Sequence, residues 1–344
     1  MMDIDLLKKY CSATGVSGFE SDVTKMFLEE MAKAGAVCDT NVMGNAYACT
    51  DHSGQWPVMI EAHCDEIGFQ VINISDSGLI YLRRNGGIDE QCLPGSEVTI
   101  RTLSGEDIAG VIGKKPIHLM SQDDRRRTAE IHQLWVDTGL PADEVKEKVA
   151  VGDTVAHAPN FRVMGRCVAS KALDNRAGLF VISEVMKNLT SAPFDAGVCA
   201  VATTQEEVGS RGAVVAANRC RPKVAVTVDL DFATDLPDMS PNRYGDVGLG
   251  RGVILPVNAD VSPRLLETMT GICREHDIPF QRSARPHATG GTNTSRIQLS
   301  REGIDTITLG IPCRYMHTPV EMCDLADLAS AIRLLTLFCR TLPS

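Results

Sequence analysis

Residues 203–212 of the chain read TTQEEVGSRG. The apolar run before them, residues 197–202, has the length and composition of a buried strand. Neighbouring side chains at a strand end point to opposite sides, so Glu206 and Glu207 would not share one role. One of them could bind a metal ion while the other acts as general base toward a water molecule. A solvated acidic loop is the ordinary alternative for such a pair, and other residues in the chain favour the metal.

Composition sets broad limits on the kind of protein. The chain has 344 residues, of which 44% are hydrophobic and 23% are charged, and 44 acidic residues against 34 basic ones give a formal charge of −10. This length allows one large or two modest domains with a substantial core. The acidic balance argues against nucleic acid as a partner.

The twelve cysteines are scattered singly through apolar runs, and no Cys-x-x-Cys motif occurs. Buried reduced thiols behave as small hydrophobic groups, so this pattern predicts a reducing, cytoplasmic location. Asp3 and Asp5 are acidic where a signal peptide needs basic residues. No run of about eighteen apolar residues occurs, so we expect no membrane partner.

The N-terminal region predicts two helices followed by a strand. The helices span residues 3–12 and about 20–34, and the strand spans residues 57–62 and ends at His63. Ser17 and Glu20 have the spacing of a capping box, in which each side chain would bind a free backbone amide at the start of the second helix.

Short β-branched segments separated by glycine turns fill residues 68–162. They span residues 70–74, 79–83, 97–102, 107–113 and 153–156. This is an all-β pattern. Since helix and strand alternate on both sides of it, the stretch is most simply an insertion in an α/β domain.

The α/β pattern resumes after residue 162. A helix should begin near Asp174 and run to about Leu189, and strands should span residues 223–228 and 306–310. Asp324 should cap the last helix of the chain.

Five candidate metal ligands follow from this organisation. Three of them end predicted strands, one follows a strand and one precedes a helix: His63, Glu207, Asp229, His317 and Asp174. In an open α/β sheet such residues converge outside the carboxyl ends of the strands. Two histidines and three carboxylates suit Zn²⁺ or Co²⁺ better than Mg²⁺. Each residue alone is more often structural, so the prediction depends on their joint placement.

The motifs of the chain resemble those of one family. They occur in the order HCDEIGF (63–69), ALDNR (172–176), EEVGSRG (206–212), VD (228–229), GGT (290–292) and RYMHTPVE (314–321). This set is similar to the dinuclear metallo-aminopeptidases that include glutamyl aminopeptidase and the tetrahedral TET peptidases, once labelled cellulase M. The resemblance runs over nearly the whole chain.

The resemblance implies two divalent metal ions, zinc or cobalt, in each subunit. Asp174 would bridge them, His63 and Asp229 would complete one metal, and Glu207 and His317 would complete the other.

The resemblance also implies two catalytic side chains. Glu206 would be the general base and acid. Asp65 would bond the far ring nitrogen of His63 and so fix the tautomer of that ligand.

The fold implied by the resemblance is α/β, a three-layer α/β/α metallopeptidase domain with an inserted small β-barrel-like domain. The catalytic domain would comprise residues 1–67 and 163–344, and residues 68–162 would form an oligomerisation domain. A homo-oligomer built from dimers, up to a tetrahedral dodecamer, would follow.

Two positions depart from the family pattern. Cys64 stands where methionine is usual, and we expect it to pack away from the metals. Asn293 follows the GGT motif where aspartate is common, in a loop that we expect near the substrate. Among the remaining histidines, His287 is the candidate for lining the site.

The predicted activity is removal of N-terminal residues from peptides with a free amino terminus. A related dinuclear deacylase or amidase on N-acyl amino acids is one alternative, and Arg285 or Arg314 would then bind the substrate carboxylate. A non-catalytic assembly protein that retains the fold is another. A glycosidase is disfavoured because the carboxylates are better explained by metals.

Overall fold

The structure is a computed structural model that describes residues 2–51, 56–191 and 197–341. The helices in this part of the chain are α1 Ile4–Ser12, α2 Ser21–Lys33, α3 Ala142–Lys148, α4 Leu173–Thr190, α5 Arg211–Cys220, α6 Pro241–Tyr244, α7 Pro263–Glu275, α8 Asn293–Gln298 and α9 Leu325–Thr341. The strands are β1 Val37–Thr40, β2 Ala46–Cys49, β3 Val58–His63, β4 Gly68–Ile74, β5 Ile80–Asn85, β6 Glu97–Arg101, β7 Asp107–Gly113, β8 Trp135–Asp137, β9 Thr154–His157, β10 Arg162–Met164, β11 Cys167–Ser170, β12 Val198–Thr203, β13 Val224–Phe232, β14 Val253–Pro256, β15 Phe280–Ser283, β16 Asp305–Cys313 and β17 Glu321–Asp324.

The main sheet has eight strands in the order β1-β2-β12-β3-β13-β16-β14-β15. Its four central strands β12, β3, β13 and β16 run parallel to one another. Parallel strands share one carboxyl edge, which is where ligand sites form in open α/β sheets.

Alternation along the strands explains the layers. On β3, Val58 and Ile60 belong to the apolar cluster formed with α1, α2, α4, α7 and α9, whereas Met59 belongs to the cluster on the opposite face with α5 and α8. Side chains of successive strand residues point to opposite faces. The sheet is therefore covered by helices on both sides, and the predicted three-layer α/β/α architecture is confirmed.

A closed barrel of six strands, ordered β4-β5-β8-β7-β6-β9, forms between Gly68 and His157. Its interior is an apolar cluster that includes Phe69, Ile100 and Val136. The predicted strands are present. Strand β8 was not predicted, because three residues are too few to show a period. The boundaries of the inserted domain at residues 68 and 162 stay a prediction.

The predicted capping box at Ser17 and Glu20 is wrong. Helix α2 begins at Ser21, and the side chain of its N-cap residue Glu20 makes no capping bond. Ser17 instead donates a hydrogen bond of 2.6 Å to the Asp65 carboxylate. A hydroxyl bound to a buried carboxylate is a stronger contact than a cap, so the carboxylate takes the hydroxyl.

The C-terminal elements follow the prediction, but two strands are longer than predicted, since β13 continues past residue 228 and β16 past residue 310. The carboxylate of Asp324 accepts a bond of 2.8 Å from the Ala326 amide and caps α9 as expected. Strand β13 does not end at Asp229 but continues to Phe232, because it pairs with β16 as far as Cys313. Within the described ranges, no helix has the length and apolar character needed to cross a membrane.

Candidate active site

The five predicted ligands meet at the carboxyl edge of the main sheet. His63 is the last residue of β3, and Asp229 lies in the last half of the neighbouring β13. Glu207 and His317 each lie four residues beyond the ends of β12 and β16, whose last residues are Thr203 and Cys313. Asp174 lies at the start of α4 with non-helical backbone angles, so its carboxylate faces the site instead of capping the helix.

The carboxylate of Asp174 lies between the two histidines. Its Oδ1 is 3.2 Å from His63 Nε2, and its Oδ2 is 3.4 Å from His317 Nε2. The carboxylate of Asp229 is 3.7 Å from the first ring, and that of Glu207 is 3.5 Å from the second. Each oxygen of Asp174 therefore faces its own histidine and its own second carboxylate.

Three groups of potential ligand atoms have all members within 4.8 Å of one another. They are His63 with Asp174 and Asp229, Asp174 with Glu207 and His317, and His63 with Glu206 and Glu207. The first two groups share Asp174, and each combines one imidazole with two carboxylates.

The site holds more buried negative charge than its own histidines balance. Burial raises the pKa of Asp229 and of Glu207 well above the usual range, and the charge of Asp174 raises both further. Burial opposes a positive charge on His63, yet hydrogen bonds to Asp174 and Asp65 raise its pKa. Divalent cations would relieve this repulsion, and nitrogen and oxygen donors are the ligands of zinc-type ions. The residues present therefore fit a metal pair.

Glu206 belongs to the third of these groups, with His63 and Glu207, and carries a perturbed carboxyl group. Burial raises its pKa to about 7, and the charges of Asp65 and Asp174 act in the same direction. The Ser210 hydroxyl donates a hydrogen bond of 3.1 Å to Glu206 Oε1. A carboxyl group with a pKa near neutrality can both accept and return a proton.

Asp65 contacts three residues of the site at once. Its Oδ1 lies 3.3 Å from Nδ1 of His63, the nitrogen that faces away from Asp174. Its two oxygens also accept bonds of 3.0 and 3.1 Å from the backbone amides of Glu206 and Glu207. Asp65 therefore orients one predicted ligand ring and fixes the turn that presents the two glutamates.

Glu20 also holds this turn, a role that the sequence did not predict. Glu20 Oε1 accepts a bond of 3.0 Å from the amide of Gln205, which has a left-handed φ of 59°. Three successive amides, residues 205–207, are thus held by two carboxylates. The motif around Ser17 and Glu20 was visible in the sequence, but its spacing indicated a helix cap.

A barrel loop also reaches the site, which no sequence signal predicted. A Cβ atom added at Gly86 would lie 3.3 Å from Glu207 Cβ, and one added at Gly87 would lie 3.2 Å from His317 Nδ1. Gly86 has a φ of 96°, which favours glycine. Residues without side chains therefore let the barrel approach two of the predicted ligands.

Of the two positions that depart from the family pattern, Cys64 lies where we expected it and Asn293 does not. Cys64 is fully buried in an apolar cluster, as expected for a packing residue. Asn293 is only 1% exposed and donates bonds of 3.0 Å to Glu61 and to Thr203. It supports the ends of β3 and β12 from inside the protein, so it has no surface for contact with a substrate. His287 is exposed and lies outside the three ligand groups among the described residues.

Both candidate arginines for a carboxylate clamp are occupied. Arg285 lies 2.9 Å from the Asp231 carboxylate and donates to the carbonyl of Tyr244. Arg314 makes two bonds, of 2.9 and 2.7 Å, to Asp235. Their charges are therefore already neutralised within the protein.

Comparisons with known proteins agree with this architecture. The family model described as M42 glutamyl aminopeptidase matches residues 44–334. The chain belongs to the M42 glutamyl aminopeptidase family. The lysyl aminopeptidase of Pyrococcus furiosus is 32% identical, over 97% of this chain and 96% of that protein.

Two solved structures show the same fold as this M42 family member. The TET aminopeptidase from a Thaumarchaeota archaeon has a TM-score of 0.92 and 31% identity, covering 98% of this chain and 96% of its own. The Pyrococcus horikoshii TET1 peptidase has a TM-score of 0.88 and 30% identity, covering 98% and 99%. The Pyrococcus peptidase can assemble into a tetrahedron or a large octahedral shell. Family membership supports an aminopeptidase activity.

Proposed function

We propose that the chain is a metal-dependent aminopeptidase that removes N-terminal residues from peptides, with Glu206 as general base. The observation that supports this most directly is the position of Asp174, one oxygen of which faces His63 and the other His317. A carboxylate in that position suits a bridge between two cations. His63 and Asp229 would hold one, Glu207 and His317 the other.

A bound metal pair would polarise the scissile carbonyl and lower the pKa of a water molecule from 15.7 to about 7. Glu206 would accept a proton from the attacking water molecule and would later donate it to the leaving amine. Asp65 keeps Nδ1 of His63 engaged, and so leaves Nε2 for the site.

The test is Glu206→Gln. Since a general base contributes about 10²–10⁴-fold in rate, kcat on aminoacyl-p-nitroanilides should fall by that factor. Metal content, measured by mass spectrometry of the native protein, should stay at the wild-type level. A variant with wild-type turnover would refute the assignment of the base.

Glu207→Gln is the matched comparison, because it makes the same chemical change in the adjacent residue. It should lose activity together with metal, whereas Glu206→Gln should lose activity alone. Equal metal loss in both variants would contradict the separation of ligand and base.

The deacylase alternative has less support. It requires a free cation for the substrate carboxylate, and both arginines considered for that role are bound to aspartates. Assays of peptides against N-acetylated amino acids separate the two activities. The non-catalytic alternative would require that the protein bind no ion and show no peptidase activity after Zn²⁺ or Co²⁺ is added.

We also propose a dimer-based homo-oligomer, up to a tetrahedral dodecamer, in a reducing cytoplasm. The inserted domain at residues 68–162 would mediate assembly, and side chains of this region such as Leu103, Ile117 and Leu119 are more than half exposed and apolar. All twelve cysteines are free. Light scattering of the purified protein measures the assembly state.

A further inference from the structure

Glu321 is a buried carboxylate behind the candidate metal site. It is the first residue of β17 and is 1% exposed. Its Oε2 accepts a bond of 2.8 Å from the backbone amide of Asp174, and its Oε1 accepts a bond of 2.9 Å from the backbone amide of His317. One side chain thus holds the main chain of two predicted ligands that come from different elements.

Among the described residues, no cation pairs with this carboxylate. Glu66, another buried glutamate, lies 2.7 Å from Lys171 and 3.4 Å from Arg176, whereas Glu321 forms no such ion pair within the described ranges. A buried charge without a cationic partner is unfavourable in a protein interior. An apolar side chain would pack better at this position. The reason for a glutamate here therefore lies in the two backbone amides that it binds.

The two amides belong to residues whose backbones need a constraint. His317 has a φ of 64°, in the left-handed region that residues with a side chain rarely adopt. Asp174 has non-helical angles within the first turn of α4. The bonds to Glu321 fix both residues to one rigid group and therefore fix the distance between their side chains.

We infer that Glu321 is a positioning residue that sets the separation of Asp174 and His317 and thereby the affinity of the site for its metals. This inference rests on the proposed function. Both of its oxygens accept bonds from backbone amides, so Glu321 acts through Asp174 and His317. It acts on the half of the site that Glu207 and His317 complete.

The test is Glu321→Gln, which keeps the size of the side chain but places an NH₂ group against one of the two amides. Residues that orient metal ligands typically contribute about 10–100-fold to metal affinity. We expect Zn²⁺ or Co²⁺ affinity, measured on metal-free protein by competition with a chelating dye, to fall by that factor. Activity should return at excess metal, unlike that of Glu206→Gln.

Asp327→Asn is the matched control. Asp327 is also fully buried, and its carboxylate accepts two bonds of 2.7 Å from the backbone amides of Gly250 and Gly252. Neither glycine belongs to the ligand groups. This variant should lose as much thermal stability as Glu321→Gln does, but it should keep wild-type metal affinity.

Two outcomes would overturn the inference. One is wild-type metal affinity in Glu321→Gln, and the other is an equal loss of affinity in Asp327→Asn. If Glu321→Gln does not fold, Glu321→Asp retains the carboxyl group but is one methylene too short to reach both amides, and it should show the same loss of metal affinity. A wild-type protein that binds no metal would refute the proposed function instead.

Discussion

The carboxyl edge of the main sheet and the interior of the barrel bury opposite kinds of side chain. At the edge, Asp174 and Asp229 lie within 3.7 Å of the same imidazole, and burial together with mutual repulsion raises the pKa of Asp229. In the barrel, the buried cluster that includes Phe69 and Val155 is apolar, and one buried imidazole, His157, packs against Phe69. The same chain thus contains a region that packing stabilises and a region that packing makes unfavourable.

This difference distinguishes a region whose burial stabilises the fold from a region whose burial serves the proposed site. Apolar burial contributes to stability wherever it occurs, whereas crowded buried carboxylates reduce it unless a cation binds between them. Removing a side chain should therefore have opposite effects in the two regions. The barrel should lose stability, and the metal-free sheet edge should gain it.

The largest effect should come from Phe69→Ala in the barrel. Phe69 is fully buried, and its loss leaves a cavity as well as removing apolar contact. The free energy of unfolding should fall by about 3–5 kcal/mol, measured by urea denaturation. Val111→Ala, on the exposed face of β7, should change it by about 0.5 kcal/mol at most. A loss below about 1 kcal/mol in Phe69→Ala would show that the barrel core is not rigidly packed.

The second effect concerns pH. His157 is 2% exposed, its ring meets that of Phe69 edge to face, and neither ring nitrogen has a hydrogen-bond partner among the described residues. Burial lowers its pKa to about 4, the nearby Glu66 opposes the shift, and Lys171 adds to it. Between about pH 6.5 and pH 4 the unfolded chain binds a proton that the folded protein does not. Stability therefore falls as pH falls through that window, by about 3 kcal/mol in total.

The measurement compares His157→Leu with wild type in metal-free protein at several pH values. As the pH falls from about 6.5 to about 4, the wild-type protein should lose stability relative to the His157→Leu variant. His132→Gln is the control, because His132 is an exposed barrel histidine beside Glu130. A difference that does not change with pH would mean that His157 binds a proton as readily in the folded protein as in the unfolded chain.

The two regions also differ in how far sequence predicts them. Barrel strands show alternation and glycine turns, so their positions follow from residues 68–162 alone, apart from the three residues of β8. The predicted ligands His63, Asp174 and His317 could be proposed from the sequence because strand ends converge in an open sheet and because the motifs resemble a known family. Both signals are local in the sequence.

The contacts that hold the site in place have no local signal. Glu20 binds an amide 185 positions away, and Glu321 binds one 147 positions away. Such pairs become neighbours only when distant elements pack. The capping box that was predicted wrongly shows the consequence. The local spacing rule assigned Ser17 and Glu20 to a helix start, whereas in the folded chain these side chains bind Asp65 and the amide of Gln205.

The smallest predicted change in stability, that of Asp229→Asn, distinguishes the sheet edge from the barrel most clearly. Asp229→Asn removes a carboxyl group whose ionisation is unfavourable in the folded protein, while its amide oxygen can still accept the 2.8 Å bond from Leu230. In metal-free protein this should raise the free energy of unfolding by about 1–3 kcal/mol, the usual cost of burying an imperfectly compensated polar group. Asp76→Asn, which breaks an exposed ion pair with Lys146, should change it by less than about 1 kcal/mol. With metal present the sign should reverse, because only the wild-type protein keeps the carboxylate of Asp229 as a predicted ligand. A loss of stability in the metal-free variant would mean that hydrogen bonds already satisfy the sheet edge without a cation.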